Sequence, residues 1–457
     1  MPNPAPETAT AVLAAVIAYL LIVFVLGLRS RCKGGGEAGY YLAGRSLGPL
    51  AATSTLAATV IGGSATIIVV GQVYLRGLPA IWIDLAGGLG LLLLGLLLAA
   101  RVRRLGLFSL PEIAGAFYGG AVRKIAAILV LFAQIGWLAL LLRSCVALLQ
   151  PVTGADTMLL LLPVGGVFII YTVVGGQLAV ARTDVLQLLL MAVGILLVAA
   201  PVLGFTAAWE TLPPEKTAFP TGPGMPVSMV LSLIAVTALP HLAGSDIYSK
   251  LLSARDEKTA CTAALAAGAI KIIFGIAIGL IGLAAITILP SGIAADSVLS
   301  VLALKVLPAP VTALIMVALL ATLMSSADSV LLTAGTVLTR DIFERRNPAE
   351  GRVATAVIGL VGIAFAALFA DLLDIFFFAY AFFSAGLTLP VLFGFWRERL
   401  GLNTAGAAAS MAGGAIAVIL GRVSGFSSEL VSAGGLAASL ILLFAVSNIW
   451  RIFQRNQ

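Results

Sequence analysis

The chain has 457 residues, of which 61% are hydrophobic and 10% charged, with a mean hydropathy of +1.12. A soluble domain is roughly a quarter charged, so too few polar groups exist here to cover a water-facing surface. That excludes a soluble enzyme, a nucleic-acid binder and a disordered scaffold, and it makes the placement of the 27 Lys and Arg matter more than their excess over 20 Asp and Glu.

The opening MPNPAPETAT has no basic stretch before the first apolar run, which therefore reads as a retained span and not a cleaved signal. The three cysteines, Cys32, Cys145 and Cys261, are far apart and form no metal or disulfide motif. The 49 glycines suit membrane helices whose backbones approach closely. A hydrocarbon core about 30 Å thick needs roughly 20 apolar residues per helix. That window predicts an all-α polytopic membrane protein with thirteen spans. They lie near 11–28, 47–75, 79–100, 125–150, 158–176, 183–204, 226–249, 260–290, 306–338, 353–373, 375–396, 404–421 and 434–452. The 47–75 and 306–338 segments exceed one crossing and are expected to overhang or break.

With the N-terminus outside, 21 of the 27 Lys and Arg collect on one face. The other face holds Arg76, Lys216, Lys305 and Arg422, and Arg143 and Lys271 fall inside spans. This is the bias of positive-inside sorting, so the N-terminus is placed outside and the C-terminus in the cytoplasm of a plasma-membrane protein. The outer loop 205–225 is Pro-rich, and Ser109–Tyr118 is expected along the inner interface.

Polar groups at membrane depth are costly and are default functional candidates. In Ala58–Tyr74, Gly62, Gly63, Ser64 and Thr66 weaken the helix and free backbone carbonyls, beside the hydroxyl of Thr59. A small-residue packing face explains that segment equally well. In Gly175–Gln187, Asp184 follows a turn at a helix start. N-terminal capping is its ordinary role, and sharing an inward-facing ion is the other. In Ala238–Lys258 the single histidine, His241, follows Pro240, with Gly244, Ser245 and Asp246 next. A broken helix there and a capped kink near the inner interface stand level. In Ala318–Asp341, Thr322, Ser325, Ser326, Ser329, Thr333 and Thr336 share an arc of roughly 100°. That oxygen-rich stripe suits a hard cation such as Na+. Hydroxyls bonding back to their own helix account for single members, but not for Asp328 at the edge of the arc. Gln134 and Trp137, Lys271, and Tyr380 with Ser384 are secondary candidates, and Arg143 and Lys271 can snorkel to a surface.

The interrupted segments 47–75 and 226–249 each open a run of five spans, of opposite orientation, which is the pattern of an inverted-repeat transporter. The chain then divides into 1–46 (N-terminal helix and loop), 47–204 (first repeat), 205–225 (outer loop), 226–397 (second repeat) and 398–457 (two C-terminal helices).

YTVVGGQLAVARTDVLQ and MSSADSVLLTAGTVLTRDIF resemble stations of the sodium:solute symporter family, as do SLPEIAGAFYG, SARDEKTA and LPVLFGFW, in that family's order from about residue 40 to 400. The resemblance implies a LeuT-type fold of five plus five spans, with one extra N-terminal and two extra C-terminal helices. It implies sodium-driven uptake of a small solute by alternating access, with Na+ as the coupling ion, no organic cofactor, no enzymatic activity and a functional monomer in the lipid bilayer. Family register assigns the Na+ site to Ala58, Ile61, Thr322, Ser325 and Ser326. A second cation or proton site matches Asp184, Ser325, Asp328 and Ser329, where Asp328 replaces the hydroxyl of two-sodium members. Solute is expected against Gly62, Gly63, Ser64, Gln134, Trp137, His241, Ser245 and Asp246. Val60 stands where proline-type members carry an acid, and Ser64 and Ala65 replace the polar pair of sugar-type members. That points to a small organic acid or modestly polar metabolite. The competing expectation is a proton-coupled or sodium-independent carrier, favoured by Asp184, Asp328 and His241. No HExxH, GxSxG or paired catalytic acids support a membrane enzyme.

Overall fold

The computed structural model describes residues 6–29, 36–203, 210–368 and 372–455, excepting the side chains at 6, 27–29, 63–65, 200–203 and 455. Among these residues the regular structure is helical, as burial of backbone groups in a bilayer requires. The helices are α1 (Pro6–Arg29), α2 (Gly36–Leu42), α3 (Pro49–Ile61), α4 (Gly63–Arg76), α5 (Trp82–Leu97), α6 (Ala99–Leu105) and α7 (Leu110–Tyr118). Then come α8 (Gly120–Thr153), α9 (Thr157–Leu203), α10 (Pro214–Thr217), α11 (Val227–Ala243), α12 (Ser245–Ser253), α13 (Glu257–Ile288) and α14 (Val298–Val306). The rest are α15 (Ala309–Val337), α16 (Pro348–Leu368), α17 (Leu372–Phe383), α18 (Leu389–Gly394), α19 (Arg397–Leu400), α20 (Thr404–Val423) and α21 (Ser428–Arg455).

By length and apolarity, 11 helices among the described residues can cross a membrane, or up to 12 if the bent pair α3 and α4 is one span. That count takes α9 as one helix, where two of the thirteen expected spans fall. Segments 158–176 and 183–204 form one helical run there, interrupted at Gly176 with φ 66° and ψ −178°. The Tyr171 and Thr183 hydroxyls lie 2.6 Å apart. In a straight helix those residues would be separated by about 18 Å along the axis, so the chain turns back at Gly176. That conformation is essentially restricted to glycine, and a Cβ would sit 2.8 Å from the Tyr40 ring. Gly176→Ala should therefore cost about 1–3 kcal/mol and lower the melting midpoint of purified protein. Gly166→Ala, where a Cβ meets nothing within 4 Å, should leave that midpoint unchanged.

Both anticipated helix interruptions are present. The α3–α4 pair bends by 42°, with Gly62 at φ 20° and ψ 129°, and α11 and α12 part at an extended Gly244. Leu47, just before α3, pairs with Ala254, just after α12. One broken helix thus starts at the face where the other ends, which gives the two opposite orientations. By contrast, the 306–338 segment holds a single continuous helix, α15.

Every residue from Ile315 to Val337 on α15 is buried, packed by α1, α3, α8, α9 and α16. On α1, Ile17 and Leu21 are more than half exposed, the outward apolar face expected against lipid. The Ser109–Tyr118 stretch holds α7, with Ser109 as its N-cap. Ser109 Oγ accepts from Glu112 N at 3.1 Å, and Glu112 Oε2 accepts from Phe108 N at 2.8 Å.

Candidate cation and solute sites

The break at Gly62 ends α3 early, and the last carbonyls of a helix have no N–H of their own helix to bond. Ala58 and Ile61, fully buried, lie in that final turn. From α15, Ser326 Oγ lies 3.1 Å from the Thr59 carbonyl and 3.2 Å from the Thr322 carbonyl of its own helix. Thr59 Oγ1 and Ser329 Oγ are 3.0 Å apart. The structure therefore brings the last turns of α3 against the hydroxyl stripe of α15.

Asp184 does not cap a helix. Its carboxylate accepts from Ser325 Oγ at 2.5 Å and from Thr55 Oγ1, linking α9, α15 and α3. Asp328 accepts from Thr172 Oγ1 at 2.6 Å, and its other oxygen has no partner among the described residues. The arms of α9 on either side of Gly176 thus bring Thr172 and Asp184 to adjacent turns of α15. Part of the stripe does bond to its own helix: Thr322 to Leu319 O, Ser329 to Ser325 O and Thr336 to Leu332 O. Ser325 and Ser326 reach other helices. Carbonyls, hydroxyls and one carboxylate are hard oxygen donors for an alkali cation.

Beside this cluster lies a cavity of about 70 Å³, reached by Thr59 and Ser326. Gly62, Trp137, His241 and Asp246 line it, whereas Gln134 and Ser245, also expected against solute, do not. Gln134 is buried with neither amide atom bonded among the described residues. Gly63 and Ser64 begin α4, and the Ser64 side chain lies outside the described residues. The walls are aromatic. Tyr380 stacks on Phe376 at 4.5 Å and meets Trp137 edge-on at 5.4 Å, with His241 stacked at 6.1 Å. His241 Nδ1 lies 2.7 Å from the Thr237 carbonyl, which only accepts, so Nδ1 carries the hydrogen.

Lys271 does not snorkel. It is 2% exposed, and its Nζ donates to Asp84 Oδ1 at 2.6 Å and to the Val60 carbonyl at 2.7 Å. The ammonium thus sits at the C-terminal end of α3, where a cation favours the free carbonyls. Asp84, Thr55, Thr172 and Lys250 were not singled out from sequence. A lone acid in the apolar run WIDLAGG is itself a signal that a buried cation must lie nearby, and Lys271 is that cation. Thr55 and Thr172 carry no such signal, because single hydroxyls are common in membrane helices.

A sodium/proline symporter from Staphylococcus aureus is 26% identical over 445 residues, covering 89% of this chain and 84% of that protein. The sodium/proline symporter of strain Newman gives the same identity and coverage over 446 residues. Among solved structures, a Na+-coupled sialic acid symporter in a substrate-bound outward-open state superposes with a TM-score of 0.82. Its identity is 19%, and the match covers 96% of this chain and 98% of that one. A nucleobase-cation-symport-1 family transporter in a closed conformation gives 0.60 at 18% identity, covering 92% and 95%. These likenesses support the LeuT-type fold. The sodium:solute symporter family profile matches residues 40–414, and the chain, a multi-pass membrane protein, belongs to that family.

Proposed function

We propose that the chain imports a small solute across the plasma membrane by alternating access, with Na+ held between the end of α3 and α15. The reading is carried by the contact of Ser326 with the Thr59 carbonyl, beside the interrupted end of α3. Ala58, Ile61, Thr322, Ser325 and Ser326 are the proposed ligands. A cation there ties the two broken-helix repeats, 47–204 and 226–397, into the state that accepts solute. Without such differential binding no transport linkage exists. The membrane potential contributes about 2.3 kcal/mol per charge per 100 mV to the inward step. The N-terminus is placed outside and the C-terminus inside. The protein acts as a monomer, without organic cofactor or nucleic acid and without chemical conversion of its solute.

Asp246 gives the solute a chemistry. It is the carboxylate lining a cavity whose aromatic walls include Trp137, Phe376 and Tyr380. Aromatic faces and a carboxylate both attract a positively charged nitrogen. A solute carrying an amine thus fits better than the organic acid suggested by IGGSATIIVVG. At about 70 Å³ the cavity holds only a few water molecules, so solute entry must widen it. A thermal-shift screen with and without Na+ tests this, since a ligand that binds only the folded state raises stability by mass action. Stabilisation should appear with compact amines or amino acids in Na+, and Asp246→Asn should lower their affinity by about tenfold or more. Preferential stabilisation by amine-free acids would reject the assignment.

The unbonded oxygen of Asp328 favours a second site, formed with Asp184, Ser325 and Ser329, for a further cation or a proton. Uptake driven by an imposed pH gradient in the absence of Na+ would select the proton-coupled alternative.

A further inference from the structure

We infer that the hydroxyl stripe of α15 runs on from the Na+ site into a second, transit site through which the ion leaves towards the cytoplasm. The inference rests on the symport reading above. Thr333 lies seven residues beyond Ser326, about 10 Å further along the helix axis. It lines a separate cavity of about 10 Å³ together with Gln177, Ser245, Thr336 and Phe108. Thr333 Oγ1, Ser245 Oγ and Gln177 Nε2 are buried and have no bonding partner among the described residues. Their residues are 5%, 1% and 1% exposed.

An unbonded buried polar group costs about 1–3 kcal/mol, so three around one water-sized space call for a ligand there. Two are hydroxyls, and the amide of Gln177 presents its oxygen when turned over. That donor set suits a partly dehydrated Na+. Lys250, 1% exposed, is the buried base of this region, and its ammonium has no bonding partner among the described residues.

The three groups come from three elements, and two directly follow a helix break. Gln177 succeeds Gly176, and Ser245 succeeds Gly244. A change at either break therefore moves a wall of the cavity. Phe108, with Tyr41, Ser109 and Ser249, forms a further wall, and its ring lies 3.7 Å from the Arg340 guanidinium. Arg340 is held by Glu37 at 2.6 Å and Glu112 at 2.8 Å. Arg123 joins Glu112, at 3.2 Å, to Asp341, at 2.8 Å. Phe108 under this ion-pair network is a plug between the transit site and the Arg-rich face.

The test uses full-length protein in proteoliposomes, with exchange of radiolabelled Na+ as the rate and a Na+ titration of tryptophan fluorescence as the affinity. Thr333→Val and Ser245→Ala should keep affinity within twofold of wild type and slow exchange at least fivefold. The double variant should be slower still. Thr333→Ser, which retains the hydroxyl, should restore the rate, and Phe108→Ala should raise it. Wild-type exchange in both Thr333→Val and Ser245→Ala, whatever their melting midpoints, would make the cavity structural and overturn the proposal. If the unsubstituted protein shows neither a Na+ response nor Na+ exchange, the symport reading itself fails, a result separable from failure of the variants alone.

Discussion

Replacing both hydroxyls, Ser325→Ala with Ser326→Ala, should weaken Na+ binding by a hundredfold or more and abolish sodium-stimulated uptake in vesicles. Contacts between a hydroxyl and a charged partner contribute about 1.5–3 kcal/mol each, so two together reach that range. The protein should stay folded, because alanine is the better helix former and the pair lies within one uninterrupted helix. The single variants separate two roles. Ser326→Ala removes the hydroxyl facing the Thr59 carbonyl, where α3 meets α15. Ser325→Ala also releases one of two hydroxyls bonded to Asp184, so its loss should disturb both cation sites. Fluorescence titration with Na+ reads the first effect directly, since Trp137 lines the adjoining cavity. Unchanged sodium dependence in the double variant would remove the assigned site.

Much of this arrangement is legible in the sequence because membranes penalise polar residues so heavily. Helix breaks were readable from Gly62 with Gly63 and from Gly244 with Pro240, which sit in otherwise apolar segments. Ser325 and Ser326 were readable from angular spacing along one long helix. What residue patterning alone did not decide was the pairing between elements, which only the family register supplied for Asp184 and Ser325. Asp184 looks like an ordinary cap from its position after a turn. Its true partners, Thr55 and Ser325, lie 129 and 141 residues away. Gln134 looks like a pocket residue because it precedes Trp137 by nearly one turn. The 100° rotation per residue leaves Trp137 on the cavity and Gln134 off it. Residues 157–203 were legible as two spans, 158–176 and 183–204, because the polar stretch after Gly175 parts two apolar runs, although hydropathy does not show that the reversal sits at a single glycine.

The largest stability effect should come from separating Lys271 and Asp84. Lys271→Met alone leaves a buried carboxylate without its cation, and Asp84→Asn alone leaves a buried ammonium with neutral acceptors only, the introduced amide oxygen and the Val60 carbonyl. Breaking such a pair by removing one partner costs about 3–5 kcal/mol, because the remaining charge stays desolvated. Each single variant should therefore melt well below wild type in detergent. Asp84→Asn combined with Lys271→Met removes both charges and should recover most of the midpoint, as neutral replacements of buried pairs commonly do. Function should not return with stability. The pair joins α5 to α13 and anchors the carbonyl of Val60, one residue before Ile61 in the proposed cation site. Without the ammonium, that final turn of α3 loses a donor fixing its direction, and ligand carbonyls must be held in place to bind a cation tightly. A double variant that melts like wild type but requires more Na+ for uptake is the expected result. Recovery of both properties together would reduce the pair to a structural tie between two helices.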